Sequence, residues 1–155
     1  MLTYNMSAQS LQVNTGGFIT NNSNENLSSG YIIETSFNKY FNKIEDNDWA
    51  SVLKGSVGLL DNMESTDAFS YKDYYAGLGF YISNEYDVEA GIQSGYLSTS
   101  EAFYIAADVT ILPMQKVFSE RLKMGLNGKL GSILVPGRTL NTGFITVGIS
   151  MSYKL

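Results

Sequence analysis

From Ile145 to the end of the chain, apolar and small polar residues alternate without a break. Ile145, Val147, Ile149, Met151, Tyr153 and Leu155 share one parity, and Thr146, Gly148, Ser150, Ser152 and Lys154 share the other. Successive side chains of a strand point to opposite faces, so this segment predicts a β-strand that is oily on one side only. A tilted transmembrane strand needs about nine to eleven residues, whereas a globular strand averages about five or six. The feature constrains the fold because the preceding residues repeat it.

Tyr31, Ile33, Thr35 and Phe37 oppose Ile32, Glu34, Ser36 and Asn38. After a turn, Trp49 opens a run in which Leu53, Val57 and Leu59 oppose Lys54, Ser56 and Gly58. Tyr74, Ala76, Leu78, Phe80 and Ile82 then alternate with Tyr75, Gly77, Gly79 and Tyr81. A short Ser83-Asn84-Glu85 turn leads into Val88, Ala90, Ile92 and Tyr96, opposite Asp87, Glu89, Gly91, Gln93 and Gly95. Two alternating runs joined tightly are a strong hairpin signal. Phe103, Ile105, Ala107, Val109 and Ile111 face away from Tyr104, Ala106, Asp108 and Thr110, and Pro113 is expected to end that strand by removing a ladder donor. Leu122, Met124, Leu126, Leu130 and Leu134 oppose Lys123, Gly125, Asn127, Lys129 and Gly131 before the turn at Pro136-Gly137.

The first strand is less regular. Tyr4, Met6 and Ala8 lie on one parity and Leu11, Val13 and Ile19 on the other, which predicts a bulge, with Gly16-Gly17 its candidate site. A single helical turn is expected within residues 114–120. The sum is eight strands with connectors too short for a parallel crossover. The predicted fold is all-β: an eight-stranded antiparallel meander closed into a barrel, one domain over residues 1–155, because closure removes both sheet edges.

A soluble barrel puts the oily face inside, and a membrane barrel puts it outside. The non-oily parity favours the second arrangement. It is rich in glycine (Gly77, Gly79, Gly91, Gly95, Gly125, Gly131, Gly148), which serves no purpose against water but makes room inside a narrow barrel. Its charges also nearly balance, with Glu34, Asp87, Glu89 and Asp108 against Lys54, Lys123, Lys129 and Lys154. Charges in a lumen must be paired, so an internal ion-pair network is predicted. The lipid-facing set is then Leu78, Phe80, Ile92, Ile105, Val109, Leu126, Leu130, Val147, Ile149 and Met151. Aromatics near strand ends, among them Trp49, Tyr74, Tyr96, Phe144 and Tyr153, are candidates for interfacial girdles.

Composition agrees. Charged residues make up 16% of the chain, against about 25% in an ordinary soluble domain. The net charge of −5 excludes a basic nucleic-acid footprint. The acidic runs at Glu45, Asp46 and Asp48 and at Asp61, Glu64 and Asp67 read as solvated connectors. The absence of cysteine excludes disulfides, no apolar run is long enough for a transmembrane helix, and the first residues have no leader-like pattern. An exported protein would therefore be represented here by its mature chain.

This pattern resembles the small eight-stranded outer-membrane proteins of Gram-negative bacteria, of the OmpA transmembrane-domain and OmpX type. The resemblance is architectural and spans essentially the whole chain. It implies an outer-membrane location, with the N-terminus in the periplasm. Connectors 21–30, 61–72, 99–102 and 136–143 would face outward, and 43–48, 83–86 and 113–120 the periplasm. In that family the barrel-assembly machinery reads an alternating last strand that ends on an aromatic. Ile149, Met151 and Tyr153 match the alternation, and the final residue here is Leu155.

Outer-membrane enzymes of similar build use a histidine base, and this chain has none. A serine–lysine pair, Ser56 with Lys54, is conceivable, but a space-filling serine beside an ion-paired lysine is the better reading. Asp46 with Asp48, or Asp87 with Glu89, could bind Ca²⁺ only weakly, and Gly77 and Gly79 sit mid-strand rather than in a nucleotide loop. No catalytic residue, metal or cofactor is expected. The bilayer is the expected partner, and the outward connectors carry no recognisable ligand motif. The preferred function is an envelope structural or surface-interaction barrel. The alternatives are a narrow pore or apolar-ligand barrel, or a soluble barrel of a larger assembly such as a virion or tube.

Overall fold

A computed structural model describes residues 9–21, 27–43, 49–62, 72–84, 88–115, 121–137 and 142–155. They form eight strands: β1 (Gln9–Asn21), β2 (Leu27–Lys43), β3 (Trp49–Asn62), β4 (Lys72–Asn84), β5 (Val88–Leu97), β6 (Ala102–Gln115), β7 (Leu122–Leu134) and β8 (Thr142–Lys154). Each pairs antiparallel with the next, and β8 pairs with β1, so the sheet is a closed meander with no free edge. Among the described residues there is no helix.

The start of β1 and the end of β8 lie at one end of the barrel, called here the terminal end. The turn at 98–101 and Pro136-Gly137 lie at the opposite, far end. That turn needs left-handed backbone at Glu101, with φ of 49°, and Gly137 has φ of 82°.

The first strand differs from expectation. No bulge interrupts β1 at Gly16-Gly17; its register runs unshifted from Gln9↔Lys39 to Asn21↔Leu27. Its parity is Ser10, Gln12, Asn14, Phe18 and Thr20 inward, with Leu11 and Ile19 outward. Tyr4, Met6 and Ala8 lie outside the described residues. The true register shifts fall between Tyr40 and Lys43 and between Ile111 and Met114.

The second shift explains why Pro113 does not end β6, which continues to Gln115. Ile111 is the last β6 residue paired to β5, and the β7 pairing skips from Ile111 to Met114. Proline is tolerated in a strand where no ladder donor is required. Of the expected helical turn, Met114 and Gln115 are strand, and 116–120 lie outside the described residues. β2 also begins earlier than its apolar pattern, at Leu27, because Ser28, Ser29 and Gly30 continue the ladder to β1.

Closure brings Gly16 against Gly148 across the β1–β8 seam. A Cβ on Gly16 would stand 2.5 Å from the Gly148 Cα, and one on Gly148 would stand 2.7 Å from the Gly16 Cα. Only glycine allows that approach of backbone to backbone.

Candidate functional surfaces: lumen and exterior

The lumen is filled, and its filling begins with large rings lying over glycines. A Cβ on Gly58 would meet the Tyr75 ring at 2.5 Å, one on Gly91 the Tyr81 ring at 2.5 Å, and one on Gly95 the Tyr104 ring at 2.5 Å. Each ring occupies the space left by a missing side chain on a neighbouring strand, the arrangement known as aromatic rescue of a sheet glycine.

Between the rings lies a buried polar network. Lys129 is its hub. Its Nζ donates to Glu34 Oε2 and to Gln93 Oε1 (2.7 Å) and lies 3.7 Å from Asp108 Oδ2. Glu34 also accepts from Asn14 Nδ2 at 2.9 Å and from the Tyr75 hydroxyl at 2.8 Å. Asp108 accepts from the Tyr81 hydroxyl at 2.8 Å and from Asn127 Nδ2 at 2.6 Å. Gln12, fully buried, donates to Asn14 Oδ1 and to Ser150 Oγ and accepts from Asn38 Nδ2. These contacts join residues from seven of the strands, so side chains as well as backbone ladders fix the barrel's cross-section.

A second ion pair lies toward the terminal end. Lys54 Nζ stands 3.1 Å from Glu89 Oε2, and the Tyr40 hydroxyl donates to Glu89 Oε1 at 2.5 Å. Lys54, fully buried, also sits over the Tyr81 ring, 4.2 Å from its centre, a cation–π contact. Ser56, the serine of the conceivable serine–lysine pair, instead accepts from Gln93 Nε2. Both side chains are therefore held by other partners.

Glu34, Lys54, Glu89, Asp108 and Lys129 are thus all buried inside. Lys123 is half-buried on the inward parity of β7, opposite Gln115 and Ser152. Asp87 lies outside the described residues, as do Asp46 and Asp48. Lys154 differs from the expectation: it is the last residue of β8 and is exposed.

The far end of the lumen is apolar, which the parity argument did not foresee. Phe18, Ile32, Tyr75, Leu97, Tyr104 and Ile133 form a buried cluster against which Leu60, Val135 and Phe144 pack. Tyr75 meets Tyr104 edge-on at 5.6 Å, a favoured ring geometry. Phe144 is therefore not an exterior aromatic but faces inward, with its ring over Gly131. The clue was available in its even parity, shared with Thr146 and Ser150. The space left in this cluster is about 30 Å³.

Asp73 was also missed. It is fully buried at the start of β4, and its carboxylate accepts from the backbone N–H of Thr99 (2.9 Å) and of Ser100 (3.0 Å). It ties the 98–101 turn to β4. Nothing in a lone Asp before an alternating run signals that partner.

The exterior is the opposite of the lumen. Leu78, Phe80, Ile92, Ile105, Val109, Leu126, Leu130, Val147, Ile149 and Met151 all point out, with exposures from 39% (Met151) to 77% (Phe80). Together with the exposed Leu11 and Ile19 of β1, Ile33 and Phe37 of β2 and Val57 of β3, they form a belt of large apolar side chains around the whole barrel. Tyr74 and Tyr96 lie outward at the far end, Tyr96 tilted against Phe103 at 5.1 Å. Tyr153 is outward and Trp49 half-exposed at the terminal end.

No protein-family model matches the chain, and no curated protein matches it. Among solved structures, one similar in fold is the crystal structure of Ail, the attachment invasion locus protein of Yersinia pestis. It is 11% identical, with a TM-score of 0.48 over 95% of this chain and 99% of that one. A second is Ail in complex with the heparin analogue sucrose octasulfate, 11% identical with a TM-score of 0.39 over 96% of this chain and 100% of that one.

Proposed function

We propose that the protein is an integral barrel of a Gram-negative outer membrane, with its apolar exterior in lipid and its ion-paired interior sealed. One observation carries this reading: Lys54, Glu34, Asp108 and Lys129 are at most 4% exposed, while Leu78, Phe80, Leu126 and Val147 are more than 60% exposed. In water that arrangement would be inverted. Monomeric soluble proteins rarely expose apolar patches larger than a few hundred Å², and burying charge is costly unless the alternative environment is worse. In hydrocarbon, both halves of the arrangement are favoured.

The barrel acts as an envelope structural or surface-interaction protein rather than as an enzyme. Among the described residues, the polar side chains of the lumen are directed at one another. The small remaining volume also argues against a ligand barrel, since small-molecule sites run to about 300–1,000 Å³, and the plug of rings at the far end argues against a pore. The terminal end lies in the periplasm and the far end outside the cell, and the alternating β8 is the segment offered to the barrel-assembly machinery.

The test uses the absence of native cysteine. Single cysteines at Val147 and at Ser150, labelled with a nitroxide in the bilayer-reconstituted protein, should report opposite environments. Position 147 should be broadened by lipid-soluble oxygen, and position 150 should be immobile and protected from it. Lipid contact at position 150 and water contact at position 147 would invert the barrel and end the membrane reading.

A further inference from the structure

Most of the exterior is ridged by large side chains, but between the far-end aromatics the surface is hollow. A groove of about 540 Å³ runs over β2–β5, bounded by Ile33, Leu59, Tyr74 and Tyr96, with Thr35, Val57 and Ala76 on its floor. It exists because the floor residues are small and the walls are not. Val57 faces Ala76, and Leu59 faces Tyr74, in the β3–β4 register. Ser98, at the rim, also lines it.

One step further along the same outward row, Asp61 faces Lys72. Lys72 Nζ is 3.7 Å from Asp61 Oδ2, with the two side chains 63% and 44% exposed. An exposed pair at that distance holds its partners loosely. Lys72 stands two residues above Tyr74, about 6.6 Å along the strand. The hollow therefore has small side chains on its floor, Leu59 and Tyr74 at its upper edge, and above them the Lys72 ammonium, held only by its solvent-exposed pairing with Asp61. That is the order of groups along a phospholipid: acyl chain, ester region, phosphate.

We infer that this groove binds one phosphate-bearing membrane lipid, an acyl chain lying over Val57 and Ala76 and its phosphate at Lys72. The inference rests on the bilayer reading, since only a bilayer presents chains to this face. An ammonium–phosphate contact is charge-assisted and stronger than a neutral hydrogen bond. The hollow seats the chain on small floor residues beside Ile33, Leu59, Tyr74 and Tyr96.

The experiment is native mass spectrometry of the folded full chain in detergent, titrated with phosphatidylglycerol and, separately, with phosphate-free diacylglycerol. One equivalent of phosphatidylglycerol should be retained, and diacylglycerol should bind more weakly. Ala76→Leu fills the floor and should abolish retention, whereas Ala107→Leu, outward on β6, should leave it unchanged. Lys72→Gln should weaken phosphatidylglycerol about tenfold without affecting diacylglycerol, the size of one charge-assisted contact. All three variants are outward-facing, and retained heat-modifiable gel migration confirms that they fold. Statistical uptake of several lipids, or equal retention by Ala76→Leu, would overturn the site. Equal binding of both lipids would overturn the phosphate assignment. A chain that is monodisperse without detergent would instead overturn the bilayer reading itself.

Discussion

Lys54 Nζ and Glu89 Oε2 stand 3.1 Å apart in the lumen, with side chains 0% and 3% exposed. Taking both charges out of water costs several kcal/mol each, and their mutual attraction repays this only while both are present. Removing one partner strands the other. Lys54→Met should therefore cost about 3–5 kcal/mol, and the double variant Lys54→Met with Glu89→Gln should recover most of that loss. Urea unfolding in lipid vesicles measures all three. A double variant no more stable than Lys54→Met would show that the pair is not the source of the cost.

Lys129 and Lys72 both touch carboxylates but differ in surroundings. Lys129 is 3% exposed at the side chain and contacts Glu34 and Asp108, whereas the Lys72–Asp61 pair is open to solvent. Lys129→Gln should cost about 3–5 kcal/mol, because two buried carboxylates lose their cation. Asp61→Asn should cost at most about 1 kcal/mol. Raising the salt concentration should shrink the second difference and leave the first nearly intact, since buried pairs are screened far less.

How much of this was legible beforehand depended on parity. Where every second residue is apolar, as from Ile145 to Leu155, the sequence determines both the strand and its outward face. The partners Lys129 and Glu34 shared that inward parity, but their meeting depends on β2 and β7 lying across the lumen from each other, a relation of the closed barrel. The irregularity expected of the first strand rested on Tyr4, Met6 and Ala8, which lie outside the described residues; within β1 the register is unshifted, and the inward set includes Phe18, an apolar residue on the polar face. Phe18 points in because Gly30 on β2 leaves room for its ring; a Cβ there would stand 2.7 Å from it. Phe144, expected at the exterior as an aromatic near a strand end, likewise points in, with Gly131 leaving room for its ring. Parity assigns a face; it does not reveal that one end of the inner face is itself oily.

Glycines on the two faces should respond oppositely to substitution. A Cβ on Gly91 would run into the Phe80 carbonyl oxygen and meet the Tyr81 Cγ at 2.5 Å, whereas the nearest atom to one on Gly128 is the Thr146 carbonyl oxygen, at 3.6 Å. Gly91→Ala should cost about 1–3 kcal/mol, as overpacked cores do. Gly128→Ala should be neutral or stabilise by about 0.5–1 kcal/mol, because strand glycines lose the most backbone entropy on folding. Unfolding midpoints of the two variants in one lipid provide the comparison. Equal effects would mean that both the Tyr81 ring and the β4 backbone at Phe80 can move aside.

The sharpest difference between a bilayer and water as surroundings is what a charge does at mid-strand. Val147 lies near the middle of β8, with its side chain 65% exposed. On a soluble barrel, an arginine there would replace an exposed valine at little cost. In hydrocarbon, a lipid-facing arginine near the midplane costs about 2–4 kcal/mol, falling to about 0–1 near the interface. Val147→Arg should therefore destabilise the reconstituted barrel by that larger amount. Tyr153→Arg, on the same face but almost at the end of β8, should cost markedly less, and Val147→Leu almost nothing. Folding free energies of the three variants in vesicles test this gradient. It depends on membrane depth rather than on local packing, because both positions share one strand face and are exposed. A flat response, with Val147→Arg no worse than Tyr153→Arg, would place the belt against something other than lipid.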